Sequence, residues 1–130
     1  MEQEQFFLEC THCGNLVGML HDSGVPLLCC GEKMTMLSAK EDSDHKHKPK
    51  VAVKGGLVMV EIGEAHHPME KEHQISWVYL QTERGGQRKS LVGRDVPKVW
   101  FAVTEEDEPL AVFAYCNQHG LWKTTADEFR

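Results

Sequence analysis

Two pairs of cysteines within the first 30 residues constrain the fold of this segment more than any other feature of the chain. Cys10 and Cys13 are separated by two residues, Cys29 and Cys30 are adjacent, and a Gly follows each pair. A Cys-x-x-Cys-Gly turn brings two sulfurs to one ion, and its Gly permits the turn in which backbone N–H groups point at the thiolates. Because the segment between the pairs is too short to bury a core, a domain of this size needs a cross-link. The spacing therefore predicts a four-thiolate metal site.

The residues of this segment do not identify the metal. Adjacent cysteines cannot form a second Cys-x-x-Cys turn, so we expect Cys29 and Cys30 to strain the tetrahedron of sulfurs. A redox dithiol or disulfides are the alternative interpretation, but they leave the second pair without a role. His12 and His21 lie in the same segment. Because four thiolates already satisfy a tetrahedral ion, we expect both histidines at the surface.

Charge and hydropathy argue against two classes of partner. The formal net charge of -6 over 130 residues disfavours binding to nucleic acid or to an anionic membrane, since both depend on clustered Lys and Arg. Met1 to Gln5 are polar and acidic, and no apolar run approaches the length of a membrane span. We therefore expect a soluble, cytoplasmic protein whose five cysteines are metal ligands or reactive thiols. The length allows one ordinary domain, or a small metal-stapled domain plus a larger one.

A second set of metal-binding residue types is spread over the rest of the chain. Cys116 and His119 lie three residues apart between an apolar run and a Gly turn. Taken alone, they are best explained as a buried Cys and an incidental surface His. His47, His67 and His73, however, also lie in polar, turn-like segments rather than on apolar faces. Four imidazoles and one thiolate can make a single metal centre.

Two of these histidines come from one loop. His66, His67 and His73 follow each other closely around Pro68, and histidines six residues apart in a loop bend onto one ion more easily than in a strand. One of His66 and His67 is the expected ligand. Pro68 stiffens the loop just after His67, which favours that residue.

A basic patch surrounds His47 in a chain that is acidic overall. The polar segment before it changes from acidic to basic at His45, and four lysines follow: Lys46, Lys48, Lys50 and Lys54. Such a patch attracts an anionic substrate. A solvated lysine edge without a target is the alternative, which we would prefer if the histidines were absent.

From residue 51 onward the sequence has the pattern of strands. Short segments rich in Val, Ile and aromatic residues alternate with Gly, Pro or charged turns, including one at Gly85 and Gly86. This spacing predicts an antiparallel sandwich of about seven strands, with Trp77, Trp100 and Phe113 in its core. The predicted strands, with one before the first cysteine pair, are Phe6–Leu8, Gly56–Ile62, Ile75–Gln81, Lys89–Val92, Val99–Val103 and Ala111–Tyr115.

The combined motifs resemble the desulfoferrodoxin family, the two-iron superoxide reductases, over nearly the whole chain. The residues that carry the resemblance are Cys10, Cys13, Cys29 and Cys30, then Lys46-His47-x-Pro49, then His67-Pro68-Met69-Glu70 with His73, and Cys116-Asn117-x-His119-Gly120. The resemblance implies an all-β chain. Residues 1–37 form a desulforedoxin-like domain that binds iron through its four cysteines, residues 38–49 form a linker and active-site loop, and residues 50–130 form an immunoglobulin-like antiparallel β-sandwich.

The resemblance also implies an activity and its partners. A mononuclear non-haem iron would reduce superoxide by one electron to hydrogen peroxide, with electrons from an external, rubredoxin-like donor, and so detoxify it. Homodimers are implied as well. The implied iron ligands are His47, His67, His73, His119 and Cys116.

Lys46 is the candidate catalytic residue of that resemblance. Its charge attracts the anion and can order the water that donates a proton, although a lysine with an ordinary pKa is a poor direct acid. The family usually has a Glu immediately before this Lys, whereas this chain has His45. That departure leaves three alternatives at the sixth position of the iron: His45, the nearby Asp44, or solvent.

Two other classes of protein remain as alternatives. A rubredoxin-like electron carrier with an accessory sandwich predicts that the histidine and cysteine cluster is metal-free or closed. A structural zinc protein that binds a partner through the sandwich predicts a colourless protein.

Overall fold

The computed structural model of the chain describes residues 4–42 and 46–130, and it divides into two compact units, Met1–Ser38 and Ala39–Arg130. Within the described residues the regular structure consists of twelve strands and one short 3-10 helix, Ala126–Glu128. None of these residues forms a helix long and apolar enough to cross a membrane. The prediction of an all-β chain is confirmed.

The first unit is built from short strands around the cysteines. Strand β1 (Phe7–Glu9) lies between β2 (Leu16–Gly18) and β5 (Thr35–Met36), and β3 (Leu28–Cys29) forms a hairpin with β4 (Glu32–Lys33). Of residues 4–38, only Phe7 and Cys10 are buried. Full burial of one large apolar side chain stabilises a fold by only about 1.5–3 kcal/mol, so this unit lacks an apolar core that could hold it together.

The second unit is an antiparallel sandwich of seven strands, all within residues 46–130. One sheet has the order β10–β7–β6 and the other the order β12–β11–β8–β9. Their bounds are β6 Pro49–Lys54, β7 Leu57–Ile62, β8 Ile75–Thr82, β9 Gly85–Ser90, β10 Lys98–Ala102, β11 Pro109–Cys116 and β12 Gly120–Thr125. The predicted sandwich is confirmed.

Side chains point alternately to the two faces of each strand, and this explains which residues form the core and where one candidate ligand lies. A single cluster holds buried residues of both sheets, such as Val60 and Phe101 from one and Leu80 from the other. In β11, Val112, Ala114 and Cys116 are all buried in this cluster. Because side chains two residues apart share a face of a strand, Cys116 points inward at the very end of β11.

Three sequence expectations about this sandwich are wrong. The predicted strand Lys89–Val92 is displaced, because β9 ends at Ser90 and includes the four residues before Lys89. Trp100, expected in the core, is 51% exposed, because its strand neighbours Val99 and Phe101 take the inward positions. Gly85 and Gly86, expected as a turn, are the first residues of β9. Gly86 is required there because a Cβ atom at this position would lie 2.0 Å from the Tyr79 hydroxyl oxygen.

Candidate metal centres

Three separate segments bring the five predicted ligands of the larger unit together. His47 comes just before β6, His67 and His73 lie between β7 and β8, Cys116 ends β11, and His119 lies in the turn to β12. One ligand atom of each lies within 4.8 Å of those of the other four. His47, His67 and Cys116 are buried, and His119 is exposed.

The four imidazoles are arranged as a ring. Each ring contacts two others, with centroid separations of 4.7–5.1 Å and interplanar angles of 58–80°, in the cyclic order His47, His67, His73, His119 and back to His47. Four edge-inclined rings in a closed cycle surround one central point. Such a ring would let all four imidazoles bind a single ion.

The distances within the cluster fit a metal ion. Bonds of about 2.1 Å to nitrogen and 2.3 Å to sulfur place neighbouring ligand atoms about 3 Å apart in a square arrangement. His47 Nε2 lies 3.2 Å from His119 Nδ1, and Cys116 Sγ lies 3.4 Å from His67 Nε2 and 3.6 Å from His119 Nδ1. The donor set therefore fits a first-row transition metal such as iron without rearrangement of the chain.

Two histidines each have a ring nitrogen that is available to bind a metal ion. His67 Nδ1 lies 2.8 Å from the Pro68 carbonyl oxygen, which only accepts, so Nδ1 carries the proton and Nε2 is left with its lone pair. Burial lowers the pKa of His67 below its usual value, which favours this neutral form. His73 Nε2 is buried and has no hydrogen-bond partner within the described part of the chain. A metal ion would satisfy this orphaned nitrogen.

His66 has a different role from its neighbour. Its Nε2 hydrogen-bonds to Glu61 in β7, and this bond lowers the pKa of the Glu61 carboxyl. Among the described residues, His66 is not a member of the cluster formed by the four other histidines and Cys116. Of the two candidates in this loop, the structure brings His67 and not His66 to the other ligands.

Asn117, which was not predicted as a site residue, joins the two ligand loops. Asn117 donates a hydrogen bond from Nδ2 to the Glu72 carbonyl at 3.1 Å, and its Oδ1 accepts one from the Gln74 N–H at 2.9 Å. Gln118 Nε2 reaches the same Glu72 carbonyl at 2.7 Å. These bonds bracket His73 and tie its loop to the turn that carries His119. An Asn immediately after a candidate ligand is the signal that could have revealed this role.

Gly63 fixes the start of the loop that carries His67. Its φ is +85°, and a Cβ atom at this position would lie 2.8 Å from the His67 backbone nitrogen. That N–H donates to the Ile62 carbonyl at 3.1 Å. Only glycine allows the backbone to close so tightly here.

Replacing Gly63 by Ala should disturb the ligand loop more than the strained φ alone explains. We expect a loss of about 1–3 kcal/mol in unfolding free energy and a fall of about 10–100-fold in metal affinity at the His67 site. Denaturant titration and competition with a chelator measure these effects. Gly93→Ala is the matched control, because its φ is +84° and a Cβ there meets nothing within 4 Å. Equal metal affinities in the two variants would contradict the role given to Gly63.

A cavity of about 550 Å³ opens in front of the imidazole ring. Of the four lysines predicted to form a patch, only Lys46 lines this cavity. Lys48 instead pairs with Glu128 at 3.0 Å. His45, the candidate for the sixth position, and Asp44 lie outside the described residues. The residues that line the cavity are Lys46, His47, Gly63, Glu64, Ala65, His66, His67, Pro68, His73 and His119.

The four cysteines of the first unit also converge. Their sulfurs lie within 4.8 Å of one another, and those of Cys13 and Cys29 are 3.6 Å apart. A tetrahedron with metal–sulfur bonds of about 2.3 Å has edges of about 3.8 Å. The predicted Cys-x-x-Cys-Gly turn is present as well, since the Cys13 N–H points at Cys10 Sγ at a distance of 3.5 Å.

Local backbone geometry explains how adjacent cysteines serve one site. Cys30 and Gly31 are the central residues of the two-residue hairpin between β3 and β4, with φ values of +52° and +79°. Positive φ at both positions is what a type I′ hairpin turn requires. Cys30 carries backbone strain at this turn, because a positive φ is uncommon for a residue other than glycine. The expected strain in the sulfur tetrahedron stays a prediction. His12 and His21 are exposed, as predicted.

The pKa values of two thiols in this unit are shifted in opposite directions. The hydrogen bond from the Cys13 N–H lowers the pKa of Cys10 to about 6. Hydrogen bonds with Cys10 and Cys13, together with burial and nearby negative charge, raise the pKa of Cys30 to about 12. A bound metal ion would hold these thiols as thiolates by compensating their negative charge. The donor set fits iron or zinc in a closed site.

Comparisons with known proteins agree with both donor sets. The family model described as Desulfoferrodoxin matches residues 39–125. A desulfoferrodoxin homolog of Archaeoglobus fulgidus is 36% identical over 118 residues, 89% of this chain and 93% of the relative. The desulfoferrodoxin of Nitratidesulfovibrio vulgaris is 33% identical over 128 residues, 97% of this chain and 100% of the relative.

Proteins named for superoxide reduction are also similar. A superoxide reductase of Pyrococcus horikoshii is 36% identical over 95 residues, 60% of this chain and 83% of the relative. The crystal structure of the superoxide reductase from Treponema pallidum matches with a TM-score of 0.83 and 33% identity, over 95% of this chain and 100% of that one.

Proposed function

This chain belongs to the desulfoferrodoxin family, and from that membership we infer that it is a superoxide reductase with two iron sites. The observation that carries this function is the closed ring of four imidazoles with a buried thiolate beside it, opening on a cavity. The ring and thiolate leave one face accessible to a small anion. The four-cysteine site has no such open position.

His47, His67, His73, His119 and Cys116 would hold the iron, which when bound would supply the one-electron chemistry that converts superoxide and two protons to hydrogen peroxide, with the electron replaced by an outside donor. The four imidazoles would add no charge to the bound metal. Cys116, which is fully buried, would contribute the negative charge of a thiolate. A thiolate ligand donates electron density to the iron.

Lys46 guides the substrate in this proposal. Its side chain is exposed and lines the cavity beside His47, so its positive charge faces the approach of an anion in a protein with a net charge of -6. Such a charge raises the local concentration of an anionic substrate. It also orders the water that gives the proton.

Replacing Lys46 by Ala should slow the encounter with superoxide. We expect a second-order rate constant lower by about 10-fold at low ionic strength, with a weaker salt dependence, because steering is screened by salt. Pulse radiolysis at several salt concentrations measures both. Lys54→Ala removes the same charge from the end of β6, away from the cavity lining. Equal rates for wild type and Lys46→Ala at low salt would reject the steering role.

Several further features are proposed with this function. We propose a division into a cysteine-rich domain (residues 1–37), a linker with the active-site loop (38–49) and a sandwich domain (50–130), a cytoplasmic location, a rubredoxin-like donor and a homodimer. The cysteine site then either relays electrons or holds its unit together.

Metal content, colour and product stoichiometry test the function together. We expect two iron atoms per chain, a red colour from the four-thiolate ferric site, and a second band on oxidation from the Cys116 thiolate. Supplied with a reductant, the protein should form one hydrogen peroxide per superoxide, whereas dismutation forms one per two. A colourless zinc protein, or iron without peroxide formation, would reject superoxide reduction.

A further inference from the structure

An aromatic side chain and a lysine lie next to His47, outside the lining of the cavity. The Trp122 indole of β12 lies parallel to the His47 ring, with centroids 4.9 Å apart and an interplanar angle of 13°. Lys40 Nζ lies 5.0 Å from the indole centroid. Neither Lys40 nor Trp122 lines the cavity. The indole therefore contacts both the Lys40 ammonium and the His47 imidazole.

The backbone fixes Lys40 in this place. Its N–H donates to the Leu121 carbonyl at 2.9 Å, and its carbonyl accepts from the Lys123 N–H at 2.8 Å. These two bonds form a bridge that pairs Lys40 with Trp122. The ammonium also donates to the His119 carbonyl at 3.1 Å. Lys40 thus contacts the backbone of one candidate ligand and, through Trp122, supports another.

The indole makes these contacts through its ring rather than through its polar edge. Trp122 is 6% exposed, and its Nε1 has no hydrogen-bond partner within the described residues. A cation above an indole face is attracted by the ring quadrupole, and burial of the ring strengthens that attraction.

We propose that Lys40 is a positioning residue that, through Trp122 and His47, raises the reduction potential of the iron bound by the histidine and cysteine cluster. The proposal rests on the function proposed above. A fixed positive charge opposes the extra positive charge of the ferric state, so it favours the ferrous state. By the two separations above, the ammonium lies within about 10 Å of the His47 ring centre.

Replacement of Lys40 by Met tests the charge, because Met is similar in length and uncharged. At this range, and allowing for solvent screening at an exposed lysine, we expect the ratio of oxidised to reduced iron at a fixed potential to rise about three- to tenfold. A tenfold change corresponds to a midpoint potential lower by about 59 mV for one electron. Redox titration of the Cys116 thiolate-to-iron band in the intact two-iron protein measures this shift.

Two further variants separate charge from packing. Lys40→Arg keeps the cation over the indole and should restore the wild-type potential. Lys89→Met is the matched control, because Lys89 also has its ammonium over a ring, 5.4 Å from the Phe101 centroid, and donates to a backbone carbonyl, that of Trp100. It removes the same charge away from the cluster, and we expect no shift.

Three outcomes would overturn the proposal: a wild-type potential in Lys40→Met, an equal shift in Lys40→Arg, or an equal shift in Lys89→Met. The first outcome would mean that Lys40 does not affect the reduction potential. The second would mean that packing, not charge, causes the shift, and the third that the overall charge of the protein causes it. Absence of the thiolate band from the wild-type protein would instead reject the proposed function.

Discussion

Replacing Cys116 by Ser should lower the rate of superoxide reduction by at least about 100-fold and abolish the thiolate-to-iron band. Loss of a group that only orients a ligand already costs 10–100-fold in metal affinity or activity, and Cys116 is a candidate ligand itself. Its sulfur is fully buried and lies 3.4 and 3.6 Å from two imidazole nitrogens. Stopped-flow or pulse-radiolysis rates, iron content and absorption spectra give the result.

The neighbouring histidines provide the matched comparison for this variant. His67→Ala should lose iron from the cluster, whereas His66→Ala should keep it, because only the first residue belongs to the ligand set. Circular dichroism of the metal-free proteins checks that Cys116→Ser still folds. An unchanged rate in a folded Cys116→Ser protein would refute the assignment of Cys116 as a ligand.

Replacing Cys29 by Ser should unfold the first unit while the sandwich keeps its structure. With only Phe7 and Cys10 buried among residues 4–38, metal binding has to supply most of the folding free energy. In zinc-finger peptides that contribution is about 10–16 kcal/mol. Residue-resolved hydrogen exchange should show lost protection in β1, β2 and β5, together with loss of the red colour.

A second variant in the same unit controls for local contacts. His12 Nε2 lies 3.1 Å from Glu32 Oε2 with both side chains largely exposed, so His12→Ala should cost at most about 1 kcal/mol. If the first unit of Cys29→Ser were as well protected against hydrogen exchange as that of the wild type, its fold would not depend on the metal.

The donor atoms were predictable because their chemistry restricts the choice of residue. Cys10, Cys13, Cys29 and Cys30 are read directly from spacing, and the resemblance supplied the second ligand set. The spacing of short apolar segments and turns predicted the sandwich. It did not settle which residues of a strand face inward, so Trp100 was misplaced by its apolar character alone.

The supporting contacts were less predictable, because they join residues that are distant in sequence. Lys40 and Trp122 are 82 positions apart, and only the paired backbone reveals that the ammonium lies over the indole. Asn117 and Gly63 act through hydrogen bonds and a steric limit that no local pattern encodes. The pairing of adjacent Cys29 and Cys30 likewise depends on a positive φ, which is uncommon for residues other than glycine.

The positions of the two donor sets along the chain imply an order of assembly. All four sulfurs of the first site have been synthesised once residue 30 is made, and only short local loops need to close. The second site needs His47 and His119, 72 residues apart, and therefore needs strands from β6 to β12. Since a chain emerges from the ribosome amino terminus first, the cysteine site can be loaded with metal during translation, whereas the catalytic iron must wait for the finished sandwich.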